Sequence, residues 1–423
     1  MNRAVVPADL DTLVAAVGAA LDGEGAPVAP VPLLDRPGRA DVPPGAALVL
    51  RTSGSTGAPR EVVLSATALR ASGTATHERL GGPGHWLLTL PPTHVAGVQV
   101  VARAHAAGRG LTVAPPDEPF TPAGFAALVG RTPPTERRYV SLVPTQLHRL
   151  LAAADAGADG GTAGLDALCA LDAVLLGGAA TPPALLRRAR AAGARVVTTY
   201  GMTETSGGCV YDGVPLAGVR VRLGAGQEGT DASGGAAGVV ELAGPVLADG
   251  YLGDPGATGH AFRTDDDGTR WFRTSDLGRL DGPPDDPTLT VLGRADDVVV
   301  SGGVNVAPAA VEALVVEVEG VGEACVVGVP HPEWGQEVVA VVTTAGRPPA
   351  PWTADGAHPD GGVADAPASL LAAVRDHVAD RLERAAAPRR VLVVGELPRR
   401  GPGKVDRAAV ARLAVGHLQV PPG

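Results

Sequence analysis

The run RTSGSTGAPRE, residues 51–61, gathers residue types that suit an anion. Gly54 and Gly57 allow backbone angles closed to other residues. Ser53, Ser55 and Thr56 add hydroxyl donors beside the backbone amides, and Arg60 adds a fixed positive charge. Small polar residues also suit a flexible linker, but this run follows the apolar segment ALVL and precedes VVLS, so it is a turn at an element end. No Gly-Lys-Ser/Thr follows at the spacing of a Walker A loop. By its own residues it is either a phosphate loop or a surface turn. Three further polar runs stand out: TTYGMTET (198–205), FRTSDLGRL (272–280) and PRRGPGKVDR (398–407). Taken singly, each has a plainer reading, as a helix start, an ordinary turn and a solvated loop lysine.

The elements that must position these runs follow from periodicity. From residue 46 to about 210, short β-rich apolar runs lead through Gly/Pro/Thr turns into Ala/Leu/Arg-rich helical stretches. ALVLRT leads to SATALRASGTATHERL with Ser65 as N-cap, HWLLTLPPTHVAG to VQVVARAHAAG, RYVSLVPTQ to LHRLLAAA, and LDAVLLGGAATP to PALLRRARAAG, before RVVTTYG. Strand alternating with helix predicts a largely parallel α/β domain, with ligands bound beyond the carboxyl ends of the strands. Residues 211–293 read as short antiparallel strands. After GRADD (293–297) comes a smaller α+β unit. The expected fold class is therefore α/β: a large N-terminal domain of mainly parallel sheet plus a small β subdomain, then a small α+β C-terminal domain. The Pro/Gly/Ala/Asp-rich stretch 346–368 and the run 154–164 are expected to be surface loops.

Composition narrows the function. Hydrophobic residues at 45% and charged residues at 19% fit a globular chain. A net charge of -10 argues against sequence-independent nucleic-acid binding, which needs a basic surface. No stretch approaches about 18 uninterrupted apolar residues, so no transmembrane helix is expected. The N-terminus lacks an export pattern, and a cytoplasmic location follows as the expectation. Cys169, Cys209 and Cys325 lie far apart, with no CxxC pair, and read as small hydrophobes rather than disulfides or zinc ligands.

These four polar runs and GRADDVVVSGGVNVAP (293–308), five in this order, with GGAA (177–180) upstream of the second, resemble the motifs of the adenylate-forming superfamily: acyl-CoA synthetases, adenylation domains and luciferases. The resemblance spans residues 50–407 and implies a two-domain ligase using ATP, Mg²⁺ and coenzyme A. Residues 1–294 would bind ATP and the acid, and residues 295–423 would form a mobile lid carrying the catalytic lysine. By resemblance, Thr52, Ser53, Gly54, Ser55, Thr56, Gly57 and Arg60 form the phosphate loop. Gly177, Gly178 and Ala179 border the adenine. Tyr200, Gly201 and Met202 belong to the adenine motif, with Tyr200 stacking near the base. Thr203 touches the α-phosphate, and Glu204 binds Mg²⁺. Asp276 holds the ribose hydroxyls, Arg294 contacts the nucleotide, Asp296 is the hinge pivot and Lys404 is the catalytic lysine. Ser301, Gly302 and Gly303 would line the thiol tunnel.

The chemistry accounts for these residue types. A carboxylate must attack the α-phosphate of ATP, so cations and hydroxyl donors have to screen two anions. No general base is needed, because the acid is already ionised near neutral pH. The segments LPPTHVAGVQVVARA (90–104) and YVSLVPTQLHRLL (139–151) resemble the o-succinylbenzoate–CoA ligases of menaquinone biosynthesis, especially the compact actinobacterial type. That resemblance implies an aromatic carboxylic acid substrate, with His94 at the acyl pocket, Thr145 and Gln146 lining it, and Arg103 or a nearby cation on the carboxylate that is not activated. Another aryl- or acyl-CoA ligase, or an adenylation enzyme loading a carrier protein, remains the alternative. Two features depart from the family: Arg60 stands where the loop usually ends in lysine, and only about 50 residues precede the loop. The short front end leads to the expectation of a homodimer that covers exposed sheet.

Overall fold

A computed structural model describes residues 4–34, 41–52, 59–116, 118–230, 236–283, 286–344, 362–382, 384–400 and 404–419. The N-terminal part contains α1 (Leu10–Asp22), β1 (Ala46–Thr52), β2 (Arg60–Ser65), α2 (Ala66–Arg79), β3 (His85–Leu88), α3 (Val95–Ala107), β4 (Leu111–Val113) and α4 (Pro122–Gly130). It continues through β5 (Arg138–Leu142), α5 (Pro144–Asp155), α6 (Gly161–Cys169), β6 (Ala173–Leu176), α7 (Pro183–Ala191), β7 (Val196–Met202), β8 (Gly207–Tyr211) and β9 (Val214–Pro215). The seven-stranded sheet runs β4-β3-β5-β6-β7-β8-β9. Its β4-to-β7 stretch is parallel, and β8 and β9 join antiparallel.

Strand alternation decides which face each side chain covers. On β3, Trp86 and Leu88 enter the core shared with α1, α2 and α3, while Leu87 enters the core shared with α4, α5 and α6. On β6, Ala173 and Leu175 point to the first core, and Val174 and Leu176 to the second. Both faces are buried, so these strands read as continuous apolar runs, as parallel strands under helices do. The helices begin where local chemistry says they should: Ser65 accepts the amide of Ala68 and caps α2, and Pro144 opens α5.

The middle of the chain holds β10 (Arg220–Thr230), β11 (Ala236–Ala243), β12 (Gly250–Tyr251), α8 (Pro255–Ala261), β13 (Phe262–Thr264), β14 (Arg270–Asp281) and β15 (Thr288–Arg294). Strands β10, β11, β14, β13 and β15 form an antiparallel sheet. The remainder holds β16 (Val299–Ser301), β17 (Val304–Val306), α9 (Pro308–Val315), β18 (Val321–His331), β19 (Gly335–Thr344), β20 (Ala364–Asp365), α10 (Ala368–Ala379), β21 (Arg390–Val393), β22 (Arg399–Arg400), β23 (Lys404–Val405) and α11 (Arg407–Gln419). Its sheet again has two covered faces. Val338, Ala340 and Val342 of β19 pack toward α9 and α10, and Val339 and Val341 toward α11.

The architecture agrees with the expected α/β class, with differences in detail. β1 and β2 do not join the parallel sheet; they form an antiparallel hairpin that, with β12, makes a separate three-stranded sheet. β4, α4 and α6 were not separated in the sequence reading, and residues 161–164, expected in a loop, are the first turn of α6. The expected loop 346–368 lies outside the described residues up to 361; at its end, Ala364 and Asp365 pair with β21 and α10 begins at Ala368. Among the described residues, no helix is long and apolar enough to cross a membrane. Cys209 and Cys325 are buried and Cys169 is half-buried, all three free thiols.

A polar cluster sits inside the first core. Trp86 Nε1 donates to His77 Nε2 at 3.1 Å, and the Arg103 guanidinium lies over the Trp86 ring at 5.4 Å and donates to the Tyr211 hydroxyl at 3.3 Å. Arg103 is 4% exposed, so the position suggested for a substrate carboxylate is instead a core position. Burial, and then the Arg103 charge, push the His77 pKa down to about 4. The folded state thus favours neutral His77, a stabilisation present above pH 6.5 and lost as pH falls from 6.5 through about 4. That shift corresponds to about 3 kcal/mol. Midpoints of urea unfolding should fall over this pH window, and His77→Asn should flatten the fall. An equal fall in the variant would show that other groups cause it.

Candidate active site

The carboxyl end of β7 carries Tyr200, and its hydroxyl donates to Asp276 Oδ2 at 2.8 Å. Asp276 lies on β14 opposite Arg294 of β15 in the strand register. The Arg294 guanidinium stands 3.6 Å from Asp276 Oδ1 and 3.1 Å from Asp296 Oδ2. Three segments far apart in sequence therefore meet at one carboxylate, whose side chain is 14% exposed. Burial raises the Asp276 pKa, against the lowering effects of the Tyr200 hydrogen bond and the Arg294 and Lys404 charges.

Beyond β7, Thr203–Thr205 forms one 3-10 turn, and Ser206 follows with a φ of 52°. That left-handed residue is held in place: its carbonyl accepts from Ser72 Oγ at 3.2 Å and from Gln99 Nε2, and its hydroxyl donates to the Val246 carbonyl at 2.8 Å. The turn presents Glu204 half-buried, with Oε1 accepting the Tyr251 hydroxyl at 3.1 Å. Burial raises the Glu204 pKa; the Tyr251 bond and the charges of Arg60 and Arg294 pull it back. Of the phosphate-loop residues, Ser53, Gly54, Ser55, Thr56 and Gly57 lie outside the described residues. Thr52 and Arg60 are paired at the base of the β1–β2 hairpin, so the loop is a hairpin connection, not a linker. The Arg60 guanidinium lies 5.1 Å above the Tyr251 ring.

Lys404 is exposed on β23, opposite Arg400 of β22, and its charge lowers the pKa of Asp276. Lys404 is also the sole lysine of the chain; every other residue among the 35 Lys and Arg is an arginine. That count was open to sequence reading and singles out position 404 as one where the usual arginine was not used. By the same bias, Arg60 in the loop is this chain's ordinary cation. Beside Asp296, the expected pivot, Asp297 Oδ2 pairs with Arg407 Nε at 3.1 Å, and Arg407 also pairs with Glu312 at 2.5 Å. The turn that carries both aspartates is thus tied to α9 and α11.

The acyl-side residues gather at neighbouring strand ends. His94 is the N-cap residue of α3, exposed, and makes no side-chain cap bond; burial of its surroundings holds its pKa below the usual histidine value. Gly97 lets α3 start against the Pro91 carbonyl, where a Cβ would come within 2.2 Å. Thr145 is half-buried in the first turn of α5. Gln146 is buried, and its amide accepts from Val143 N at 3.1 Å and donates to the Thr89 carbonyl at 3.2 Å. It joins the ends of β3 and β5, and its amide keeps a second N–H and a second lone pair beyond these two bonds. Gly177 packs where a Cβ would fall 2.3 Å from Thr199 Oγ1, and Gly178 (φ 83°) and Ala179 continue the exposed turn. Gly201 packs against the Gly207 carbonyl, and Met202 N donates to Thr205 Oγ1 at 3.0 Å, which fixes the turn before Thr203 and Glu204. Ser301 is buried at the end of β16; Gly302 (φ 59°) and Gly303 (φ 83°) make the turn to β17. A Cβ on Gly302 would meet the Trp334 ring at 2.8 Å.

A sheet end that offers an aspartate, a tyrosine and an arginine beside a desolvated glutamate and a lysine-bearing flap is suited to a nucleotide and its phosphates. The chain belongs to the AMP-binding enzyme family, whose profile matches residues 8–252, with the AMP-binding enzyme C-terminal domain matching residues 310–404. It is an AMP-forming acid–thiol ligase, with ATP, Mg²⁺ and coenzyme A as its cosubstrates and cofactor. Over 377 residues it is 44% identical to a Mycobacterium tuberculosis protein named "Probable 2-succinylbenzoate--CoA ligase", covering 88% of this chain and 85% of that one. It is 32% identical to the sulfoacetate–CoA ligase of Cupriavidus necator, over 86% of this chain and 66% of the relative. The solved structure of ATP-bound MatB from Rhodopseudomonas palustris superposes with a TM-score of 0.70 at 26% identity, over 91% of this chain and 70% of that one.

Magnesium fits what the site offers. Among the described residues no group of three or more His, Cys, Asp or Glu could hold a metal by itself. A single carboxylate such as Glu204, completed by substrate phosphates, is the arrangement magnesium commonly uses. Asp276 gives a test of the site's electrostatics. A carboxyl whose folded pKa is raised stabilises the fold below its unfolded value and loses that contribution as pH rises through the folded value. Asp276→Asn should therefore melt higher than the parent at pH 7, and the gap should close as pH falls. The same variant should bind ATP at least tenfold more weakly, as read by calorimetry. A variant that melts no higher at pH 7 would show that the Tyr200 and Arg294 contacts outweigh the burial of the charge.

Proposed function

We propose that this enzyme is an o-succinylbenzoate–CoA ligase of menaquinone biosynthesis. It activates the succinyl carboxylate as the acyl-adenylate with release of pyrophosphate, then passes the acyl group to the thiol of coenzyme A. The observation that carries the substrate is the 44% identity over 88% of the chain to the mycobacterial protein of that name, against 32% to a relative named for a different acid.

In this reading Asp276 accepts the ribose hydroxyls and Tyr200 lies beside the adenine, at the edge formed by Gly177, Gly178 and Ala179. Thr203, Arg60 and the loop from Thr52 to Gly57 hold the phosphates. Glu204 would hold magnesium, which would supply charge neutralisation for the leaving pyrophosphate. Lys404 bridges the attacking carboxylate and the α-phosphate, a task suited to a compact, flexible ammonium. His94 and Thr145 face the acid. Residues 295–423 then turn about Asp296, withdrawing Lys404 and bringing Ser301, Gly302 and Gly303 to the thiol path.

The test is a substrate panel, with pyrophosphate release and CoA-thioester mass as readouts. Turnover with o-succinylbenzoate should exceed that with benzoate, sulfoacetate, fatty acids and amino acids by at least a hundredfold in kcat/KM. No preference for o-succinylbenzoate would return the assignment to a general acyl-CoA ligase. Lys404→Ala should lower pyrophosphate release by at least a hundredfold and leave thioester formation from supplied acyl-adenylate within a few-fold of the parent.

A further inference from the structure

Glu204 and Arg60 belong to two different motifs, and a third residue that no motif assignment includes stands between them. Tyr251 lies on β12, which pairs with β2, the strand leaving the phosphate loop, in the register Tyr251 to Val62. Its hydroxyl donates to Glu204 Oε1 at 3.1 Å, and its ring lies 5.1 Å beneath the Arg60 guanidinium. The segment is bound at both ends of this contact. Ala248 N donates to the Glu204 carbonyl at 2.8 Å, and Leu252 N to the Glu61 carbonyl at 2.8 Å. Tyr251 itself is 8% exposed, its amide donates to Thr258 Oγ1 at 2.9 Å, and its ring packs edge-on to Phe262 at 6.0 Å. The ring has little freedom to swing away.

We infer that Tyr251 is a positioning residue for the adenylation step, setting the Glu204 carboxylate and the Arg60 guanidinium at a common spacing across the triphosphate. The hydroxyl and the ring do separate jobs. The hydroxyl occupies one lone-pair direction of Oε1 and leaves the rest of the carboxylate aimed at a cation; a carboxylate oxygen can accept more than one partner. The ring face attracts and orients Arg60, whose side chain is otherwise long and mobile. Because strand pairing fixes Tyr251 against β2, a shift of the phosphate loop is passed to the metal carboxylate through one rigid side chain. Nothing in the sequence marks Tyr251, since GYLGDPGAT reads as a turn and a helix start.

The inference rests on Glu204 holding the metal, and the experiment separates the two. ATP binding to the full-length protein is measured by calorimetry in EDTA and in saturating Mg²⁺, and the ratio of the two affinities is the magnesium increment. Glu204→Gln should abolish that increment; if it does not, the metal assignment itself fails. Tyr251→Phe keeps the ring and loses the hydroxyl. It should cut the increment about tenfold while leaving affinity in EDTA within twofold of the parent. Tyr251→Leu also loses the ring face and should weaken binding in EDTA about tenfold as well. Should Tyr251→Leu not fold, Arg60→Ala serves in its place, with the EDTA affinity lowered and most of the increment kept, and Arg60→Lys restoring the affinity. If Glu204→Gln abolishes the increment and Tyr251→Phe keeps it, or if Tyr251→Phe weakens both conditions equally, the positioning role is overturned.

Discussion

The arrangement of the site depends on one desolvated carboxylate. Asp276 lies at the junction of the parallel sheet, the antiparallel subdomain and the segment leading into the C-terminal unit. An anion removed from water is costly unless hydrogen bonds and opposite charges replace its solvent. Tyr200 supplies the hydrogen bond, and Arg294 the nearest charge. The need to satisfy that group fixes how β7 approaches β14 and β15, and so where a nucleotide can lie. Its raised pKa means the compensation is incomplete.

Scarcity sharpens the roles of individual side chains. The chain has four tyrosines, and each hydroxyl has a partner. Tyr139 donates to the Leu80 and Gly82 carbonyls, Tyr211 pairs with Thr76, Tyr200 with Asp276 and Tyr251 with Glu204. Two hold the core beside the parallel sheet, and two hold acidic residues of the site. The cations show the same economy of types. Arginine serves in the core, on the surface and in the phosphate loop, where its planar fork can also stack on an aromatic ring. Lysine occurs only at 404. Its ammonium is a compact charge on a flexible stem, where arginine would offer a planar fork.

The turn after β15 is tied to elements on both of its sides. Arg294 pairs with Asp296, while Asp297 is bound through Arg407 to Glu312. Neighbouring aspartates are thus committed to different elements, one to the end of β15 and one to α9 and α11. Arg407 opens the helix that follows Lys404 in the chain, so the lysine lies close in sequence to that clamp.

Much of this was legible before folding. The alternation of apolar runs and Ala/Leu/Arg helices marked the parallel sheet, because a strand buried on both faces and the helix covering it each leave a local pattern. The polar runs around residues 52, 200, 276 and 404 marked the candidate site, because clustered hydroxyls, glycines and charges stand out against the apolar strands and helices around them. Pairing was not legible. ALVLRT reads like the other strands, yet it folds back on β2 into a separate sheet, since which strand accepts a hydrogen bond is settled by distant segments. Arg103 reads as a pocket cation and folds into the core beneath Trp86, because helix phase against the sheet decides its direction. Tyr251 has no motif of its own, and its position was decided only when β12 paired with β2. The sequence alone determined which groups the chemistry requires; tertiary structure decided which of them meet, because hydrogen bonds and charges between residues as far apart as Tyr200 and Asp276, 76 positions, or Thr76 and Tyr211, 135 positions, exist only in the packed state.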